Sequence, residues 1–245
     1  MRNHRLRRCC LSVPGSREDM LEKARQIVID QIVIDWEDAV APDQKQRARD
    51  VTLAALALPW KASSVSVRIN GVETPHCLND VLAITQKRSD QGQAVESLVL
   101  PKTASTSQIH FVSTLLDQLS VDDDPMAPSN IEALIEDADG MIKAHAIALA
   151  SPRLEALIFG MGDFAAAQGI QTTVIGDQSG YDADLWHYPR YRLIMAARAA
   201  NIAAIDGPFA AFKDADGLKR DCRVARLMGM NCLLYTSDAA DDANC

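Results

Sequence analysis

The chain has 245 residues, 48% hydrophobic and 24% charged, with a formal net charge of −8. That composition describes a globular protein long enough for one large core, and the acidic balance disfavours nonspecific binding to nucleic acid or an anionic membrane. No apolar run approaches the roughly 18 residues of a membrane-spanning helix, and the basic start, MRNHRLRRCCLSVPGS, lacks the apolar stretch of a signal peptide. The cysteines (Cys9, Cys10, Cys77, Cys222, Cys232, Cys245) form no C-x-x-C pair and no zinc-spaced cluster. They read as free thiols of a cytoplasmic protein.

The first apolar run, Leu11–Val13, leads into Pro14-Gly15-Ser16-Arg17 and an amphipathic stretch over Glu18–Ile27. Ser16 suits a helix cap, with Asp19 three positions on. Arg17 and Lys23 nearby make the segment either a phosphate site or a capped helix with solvated charges. The run Gln31–Trp36 ends in Asp35-Trp36-Glu37-Asp38, ahead of a helix over Gln44–Leu56. Carboxylates packed this closely call for a compensating cation, unless the loop is simply solvated. The run Ser64–Ile69 holds Arg68 among Val65, Val67 and Ile69 and precedes a helix over Leu78–Lys87. Arg68 reads either as a group for a substrate carboxylate or enolate oxygen, or as half of a structural salt bridge.

Ser97–Leu100 is followed by Lys102, a weaker candidate of the same type, and by a helix over Ser105–Leu119. Ile131–Ile135 is followed by Glu136 and a helix over Ala138–Leu149. Ala156–Met161 is followed by Gly162 and Asp163. Two carboxylates at the ends of neighbouring strands suit a hard cation such as Mg²⁺; helix N-capping is the alternative. Gly160 and Gly162 leave room for a ligand near the backbone. A helix over Pro189–Ala200, a strand over Ile202–Ile205 and a helix over Asp216–Leu227 complete the series. None of His4, His76, His110, His145 and His187 falls in a catalytic motif, and His187 reads as packing.

Short Val/Ile/Leu-rich runs alternating with helical stretches predict parallel strands joined by crossover helices. Seven such units in about 230 residues fit a TIM (β/α)8-type barrel, and no G-x-G-x-x-G or Walker loop favours an open sheet. Residues 1–230 read as one domain.

Taken along the chain, RCCLSVPGSREDMLEK, VIDWEDAVAPDQKQRAR, SVRINGVETP, LVLPK, LIEDADG, SPRLEALIFGMGDFAAAQGIQTTVIG, WHYPRYR and IDGPFAAFKDADG resemble malyl-CoA and β-methylmalyl-CoA lyases. These belong with the citrate lyase β-subunit-like, HpcH/HpaI aldolase superfamily. The resemblance runs from Arg8 to Met230, with the motifs in the expected order. It implies a reversible, Mg²⁺-dependent carbon–carbon lyase (Mn²⁺ as an alternative metal). The substrate is a 3-hydroxyacyl-CoA such as malyl-CoA, and the products are acetyl-CoA or propionyl-CoA and glyoxylate. It also implies Glu136 and Asp163 as metal ligands, and Arg68 at the reacting oxygens with Glu37 and Asp38 beside the metal. Ser12, Arg17 and Lys23 are implied at the CoA, and Gly162, Asp163, Ile205 and Asp206 at the substrate. Trimeric or hexameric self-association follows from the same resemblance. Malyl-CoA thioesterase and citramalyl-CoA or citryl-CoA lyase activities are the alternatives on this scaffold.

The end departs from that pattern. After Met230 the family continues into a strand ending Ile-His-Pro and a helical lid that brings a catalytic carboxylate to a neighbouring subunit. Residues 231–245 here include Leu233-Leu234-Tyr235-Thr236-Ser237 and read as a non-native tail. Cys232–Thr236 is apolar enough to lie as an eighth strand and partly close the barrel. The expectation is therefore a barrel incomplete at its last strand and lacking its lid, with weak activity or a noncatalytic, ligand-binding fragment.

Overall fold

Eight parallel strands close on one another in chain order in a computed structural model that describes residues 7–85, 92–119, 128–171, 183–209 and 214–236. The strands are β1 (Cys9–Pro14), β2 (Gln31–Asp35), β3 (Val65–Arg68), β4 (Ser97–Leu100), β5 (Asn130–Ile135), β6 (Leu154–Phe159), β7 (Ala203–Asp206) and β8 (Cys232–Thr236). Around them lie α1 (Glu18–Arg25), α2 (Lys45–Leu56), α3 (Cys77–Thr85), α4 (Thr106–Leu119), α5 (Ala138–Ala148), α6 (Met161–Ala167), α7 (His187–Ala199) and α8 (Ala215–Met228).

The strands are legible as apolar runs because both faces are covered; in β2 and β4 every residue is buried. Alternate residues serve different layers. Ile32, Ile34, Leu98, Leu100, Ile135 and Phe159 face the helices. Val33, Val99, Leu134, Ile158 and Ile205 fill the interior. Each fully buried Ile or Leu contributes roughly 1.5–3 kcal/mol.

The N-terminal floor of the barrel is polar and closed. Arg7 donates to Gln31 Oε1 (2.5 Å) and Glu132 Oε1 (2.7 Å), and Ser97 Oγ donates to the same Glu132 oxygen (2.5 Å). Gln31 Nε2 donates to Ser66 Oγ at 2.6 Å. Burial opposes the charge of Arg7, but Glu132 and Glu155 outweigh it and hold the guanidinium above its ordinary value.

Three expectations need correction. The barrel is not incomplete: β8 pairs with β7 (Ile205 with Cys232) and with β1 (Cys9 with Leu233), while Cys232 and Leu234 fill the interior. Residues 232–236, placed by the sequence in the tail but read there as apolar enough for a partial eighth strand, form the full closing strand; 237–245 lie outside the described residues. The strand read as Ala156–Met161 stops at Phe159. Gly160 leaves the extended conformation and accepts from the Phe164 amide, starting a helix at Met161 that the sequence reading missed. The helix read as Leu78–Lys87 begins at Cys77, and residues 86 and 87 lie outside the described set. Among the described residues, no helix is long and apolar enough to cross a membrane.

Candidate active site

The C-terminal mouth gathers most of the ionisable residues singled out from the sequence. Asp35 ends β2 and Arg68 ends β3, and the two are register partners. Arg68 Nε and Nη2 donate to the two oxygens of Asp35 at 2.8 and 2.5 Å, a bidentate pairing that locks the guanidinium plane. Arg68 Nη1 faces Glu37 Oε2 at 3.4 Å. Burial opposes the charge on Arg68, but Asp35 and then Glu37 prevail, so it remains a fixed cation.

Asp35 also accepts from the amides of Glu37 (2.7 Å) and Ala39 (3.1 Å), folding the following loop over the strand end. Lys45 Nζ donates to the carbonyls of Trp36 and Glu37, both at 2.7 Å. Asn70 Nδ2 donates to Trp36 O, and Asp80 accepts from both Asn70 and Arg49. Burial pushes the Glu37 carboxyl up, against the pull of Arg68 and Lys102. On Asp38, burial is outweighed by its contacts to Glu37 and Lys102, and its pKa falls.

Lys102 is more central than its weak sequence signal suggested. Its ammonium donates to Glu37 Oε1 and to Asp38 Oδ1, the latter at 3.1 Å. Its backbone N–H donates to Glu136 Oε1 at 2.6 Å.

Glu136 follows β5 and is buried. Burial, reinforced by the charge of Asp163 and against the Lys102 amide, pushes its carboxyl up to about 8. Neither Glu136 nor Asp163 caps a helix. Asp137 caps α5, accepting from the Gly140 amide at 2.6 Å, while Asp163 stands exposed in the first turn of α6 beside half-buried Gly162. Gly160 is required by a different neighbour than the ligand expected from the sequence. A Cβ there would lie 2.4 Å from Glu136 Cβ and 2.6 Å from Glu136 Oε2. Among the described residues, no group of three or more His, Cys, Asp or Glu is arranged to hold a metal. Two carboxylates with room for water and substrate oxygens are nevertheless the donor set that Mg²⁺ takes.

The remaining candidates are scattered. Ser12 sits on the interior face of β1, between Leu11 and Val13, whose side chains face the helices. Arg17, not Ser16, occupies the N-cap of α1, with no side-chain cap bond. Arg17 is exposed and paired with Asp19 at 2.9 Å. It lines an open cleft of about 500 Å³ with Ser16, Glu18, Asp19, Glu22 and Arg47. Lys23 lies in the last turn of α1, about 9 Å down the helix axis from Arg17. Gly15 has a packing reason: a Cβ there would lie 2.5 Å from Trp36. Ile205 fills the interior, but Asp206 faces the opposite way. It is fully buried and paired with Arg190 of α7 at 2.9 Å, and the same arginine reaches Asp221 of α8. Alternation after Ala203 and Ile205 would have predicted that outward direction.

A closed barrel whose charged side chains converge on the ends of β2, β3, β4, β5 and β6 is the layout of a (β/α)8 enzyme. The chain belongs to the HpcH/HpaI aldolase/citrate lyase family, whose family model matches residues 8–237. It is 34% identical over 234 residues to the L-malyl-CoA/β-methylmalyl-CoA lyase of Cereibacter sphaeroides, covering 91% of this chain and 73% of that protein. It is 33% identical over 225 residues to a (3S)-malyl-CoA thioesterase of the same species, covering 91% and 70% respectively. The fold matches protein CitE from Mycobacterium tuberculosis, crystallised with magnesium, acetoacetate and coenzyme A. That match has a TM-score of 0.76 and 25% identity, covering 96% of this chain and 79% of the other.

Proposed function

We propose that this chain is a Mg²⁺-dependent carbon–carbon lyase acting reversibly on a 3-hydroxyacyl-CoA such as malyl-CoA. The products are acetyl-CoA or propionyl-CoA and glyoxylate. The observation that carries the reading is the convergence of Glu136, Asp163 and a locked Arg68 on one mouth. Glu136 and Asp163 would hold the metal, with Mn²⁺ an acceptable substitute for the same oxygen donors. Bound there, the cation supplies Lewis acidity to the carboxylate and hydroxyl oxygens of the two-carbon fragment.

In the cleavage direction the substrate hydroxyl loses its proton and becomes a carbonyl. The adjacent C–C bond breaks, and its electron pair moves onto the thioester as an enolate, which is then protonated on carbon. Arg68, held by Asp35, offers a preorganised positive charge to the developing enolate oxygen. Glu37 and Asp38 border the same space. Ser12 and Arg17 are assigned to the CoA moiety on the resemblance, and Arg17 would have to leave Asp19 to meet a phosphate. Lys23, remote from the rim, and Asp206, turned toward the helices, draw no support from their placement.

A thioesterase outcome is the second reading, favoured by the identity with the malyl-CoA thioesterase. Incubation with malyl-CoA and Mg²⁺, with products separated by chromatography, decides between them. Glyoxylate with acetyl-CoA is expected; malate with free CoA would replace the lyase by the hydrolase, and neither product would leave only a binding fragment. Self-association into trimers or hexamers belongs to the same proposal, supported by exposed Ile142, Tyr188 and Met195 on the packed helices α5 and α7. A cytoplasmic setting agrees with thiols outside any disulfide at Cys10, Cys77 and Cys232.

A further inference from the structure

Lys102 is the residue at which the two acidic halves of the mouth meet. It lies two positions past β4 with φ = 49°, a left-handed conformation that disfavours a residue with a side chain. The bend is held from both sides. The Thr103 amide donates to Leu134 O at 3.0 Å, and Gln108 Nε2 donates to Lys102 O at 3.1 Å. Gly140 lets α5 approach, since a Cβ there would lie 2.4 Å from Thr103 O.

The strained turn gives one residue two directed contacts. Its amide points at Glu136, and its ammonium points at Glu37 and Asp38. Glu37 and Glu136 are thus held by one residue, the first through its ammonium and the second through its backbone N–H. A divalent ion with two carboxylates is neutralised and keeps open positions for substrate oxygens. A third carboxylate would fill one of those positions and weaken the ion as a Lewis acid.

We propose that Lys102 is a positioning residue that fixes the metal site at two protein carboxylates. Its ammonium holds Glu37 and Asp38 off the cation while its amide aims Glu136 at it. The inference rests on the assignment of Glu136 and Asp163 as the metal ligands. The test uses Mn²⁺ alone, titrated into the full chain and followed by electron paramagnetic resonance, with kcat and KM for malyl-CoA measured in parallel. Lys102→Gly keeps the left-handed backbone and its N–H but removes the ammonium; Lys102→Met removes the ammonium and keeps the bulk; Lys102→Arg keeps a cation.

Lys102→Gly and Lys102→Met are expected to bind Mn²⁺ about tenfold more tightly while kcat falls on the order of 10–100-fold and KM changes less than about threefold. Lys102→Arg is expected to bring Mn²⁺ affinity and kcat most of the way back. A merely structural lysine would not strengthen metal binding on removal. Unchanged or weaker Mn²⁺ binding in a folded Lys102→Gly chain overturns the inference, while the lyase reading stands if the wild type binds Mn²⁺ and cleaves malyl-CoA. A wild-type chain that binds no Mn²⁺ removes both.

Discussion

The two ends of the barrel treat charge in opposite ways. At the floor, Arg7, Gln31, Ser66, Ser97 and Glu132 form a sealed network in which the buried guanidinium meets Glu132 at 2.7 Å. At the mouth, Arg68 and Lys102 stand among Asp35, Glu37, Asp38, Glu136 and Asp163, so negative charge is in excess. Burial, reinforced by the charges of Asp163 and Glu37, pushes the Glu136 carboxyl up to about 8 there. The comparison teaches that burying charge in this fold serves two ends. A neutralised network positions strands, whereas the carboxylate excess at the mouth is what the proposed cation would balance.

The strongest way to break this comparison is to neutralise the mouth. Asp163→Asn or Glu136→Gln is expected to abolish detectable Mn²⁺ binding and lower kcat/KM by at least about 10³-fold, as loss of metal-based charge stabilisation predicts. Thermal stability should hold or rise, because the cost of burying the Glu136 carboxyl beside Asp163 is reduced. Activity within tenfold of wild type in either variant would remove the metal assignment.

A smaller effect, on stability rather than chemistry, is expected at the floor. Glu132→Gln leaves Arg7 without its main counter-charge and should lower the unfolding free energy by about 3–5 kcal/mol in denaturant titrations. Mn²⁺ affinity should stay unchanged. A shift in metal affinity as large as that of the mouth variants would erase the distinction between the two ends.

A further effect is a pH dependence. Because Glu136 is raised from 4.5 to about 8, the metal-free native state keeps a proton that the unfolded chain loses in that interval. Bound protons in the native state exceed those in the unfolded state, so metal-free stability should fall as pH rises through this window. Metal binding below about pH 8 should release that proton and tighten with rising pH. Melting curves with and without Mg²⁺ between pH 5 and pH 8.5 check both signs, with Glu136→Gln as the reference that lacks the slope. A metal-free midpoint that rises across the window, relative to that reference, contradicts the assignment.

The barrel was legible because its strands are covered on both faces, and two-sided burial leaves a nearly continuous apolar run such as Ile32–Ile34. Glu136, Asp163 and Arg68 stood out because each interrupts or ends such a run. Less was visible where one residue serves a neighbour distant in sequence. Asp35 merged with Glu37 and Asp38 as one acidic loop, although it is Asp35 that grips Arg68. Glu132 lies within the apolar run Ile131–Ile135, and its partner Arg7 looked like part of a basic start. Lys102 gave no sign of its backbone turn, because left-handed geometry at a lysine is imposed by the contacts of Thr103 and Gln108 rather than by its own preference. The eighth strand was legible from the apolar run Cys232–Thr236, but a sequence that did not look native hid that it closes the barrel fully.

The seam between β1 and β8 has a consequence for how the chain reaches this state. Cys10 and Cys232 meet there across 222 residues, whereas every other neighbouring pair of strands is joined by a single crossover. Closing so long a loop is entropically late, while the local crossovers assemble early. The expected folding order is a curved open sheet that zips shut last along this seam. Until then β1 and β8 are bare edges, and the slowest refolding phase should be the one most prone to strand exchange between chains.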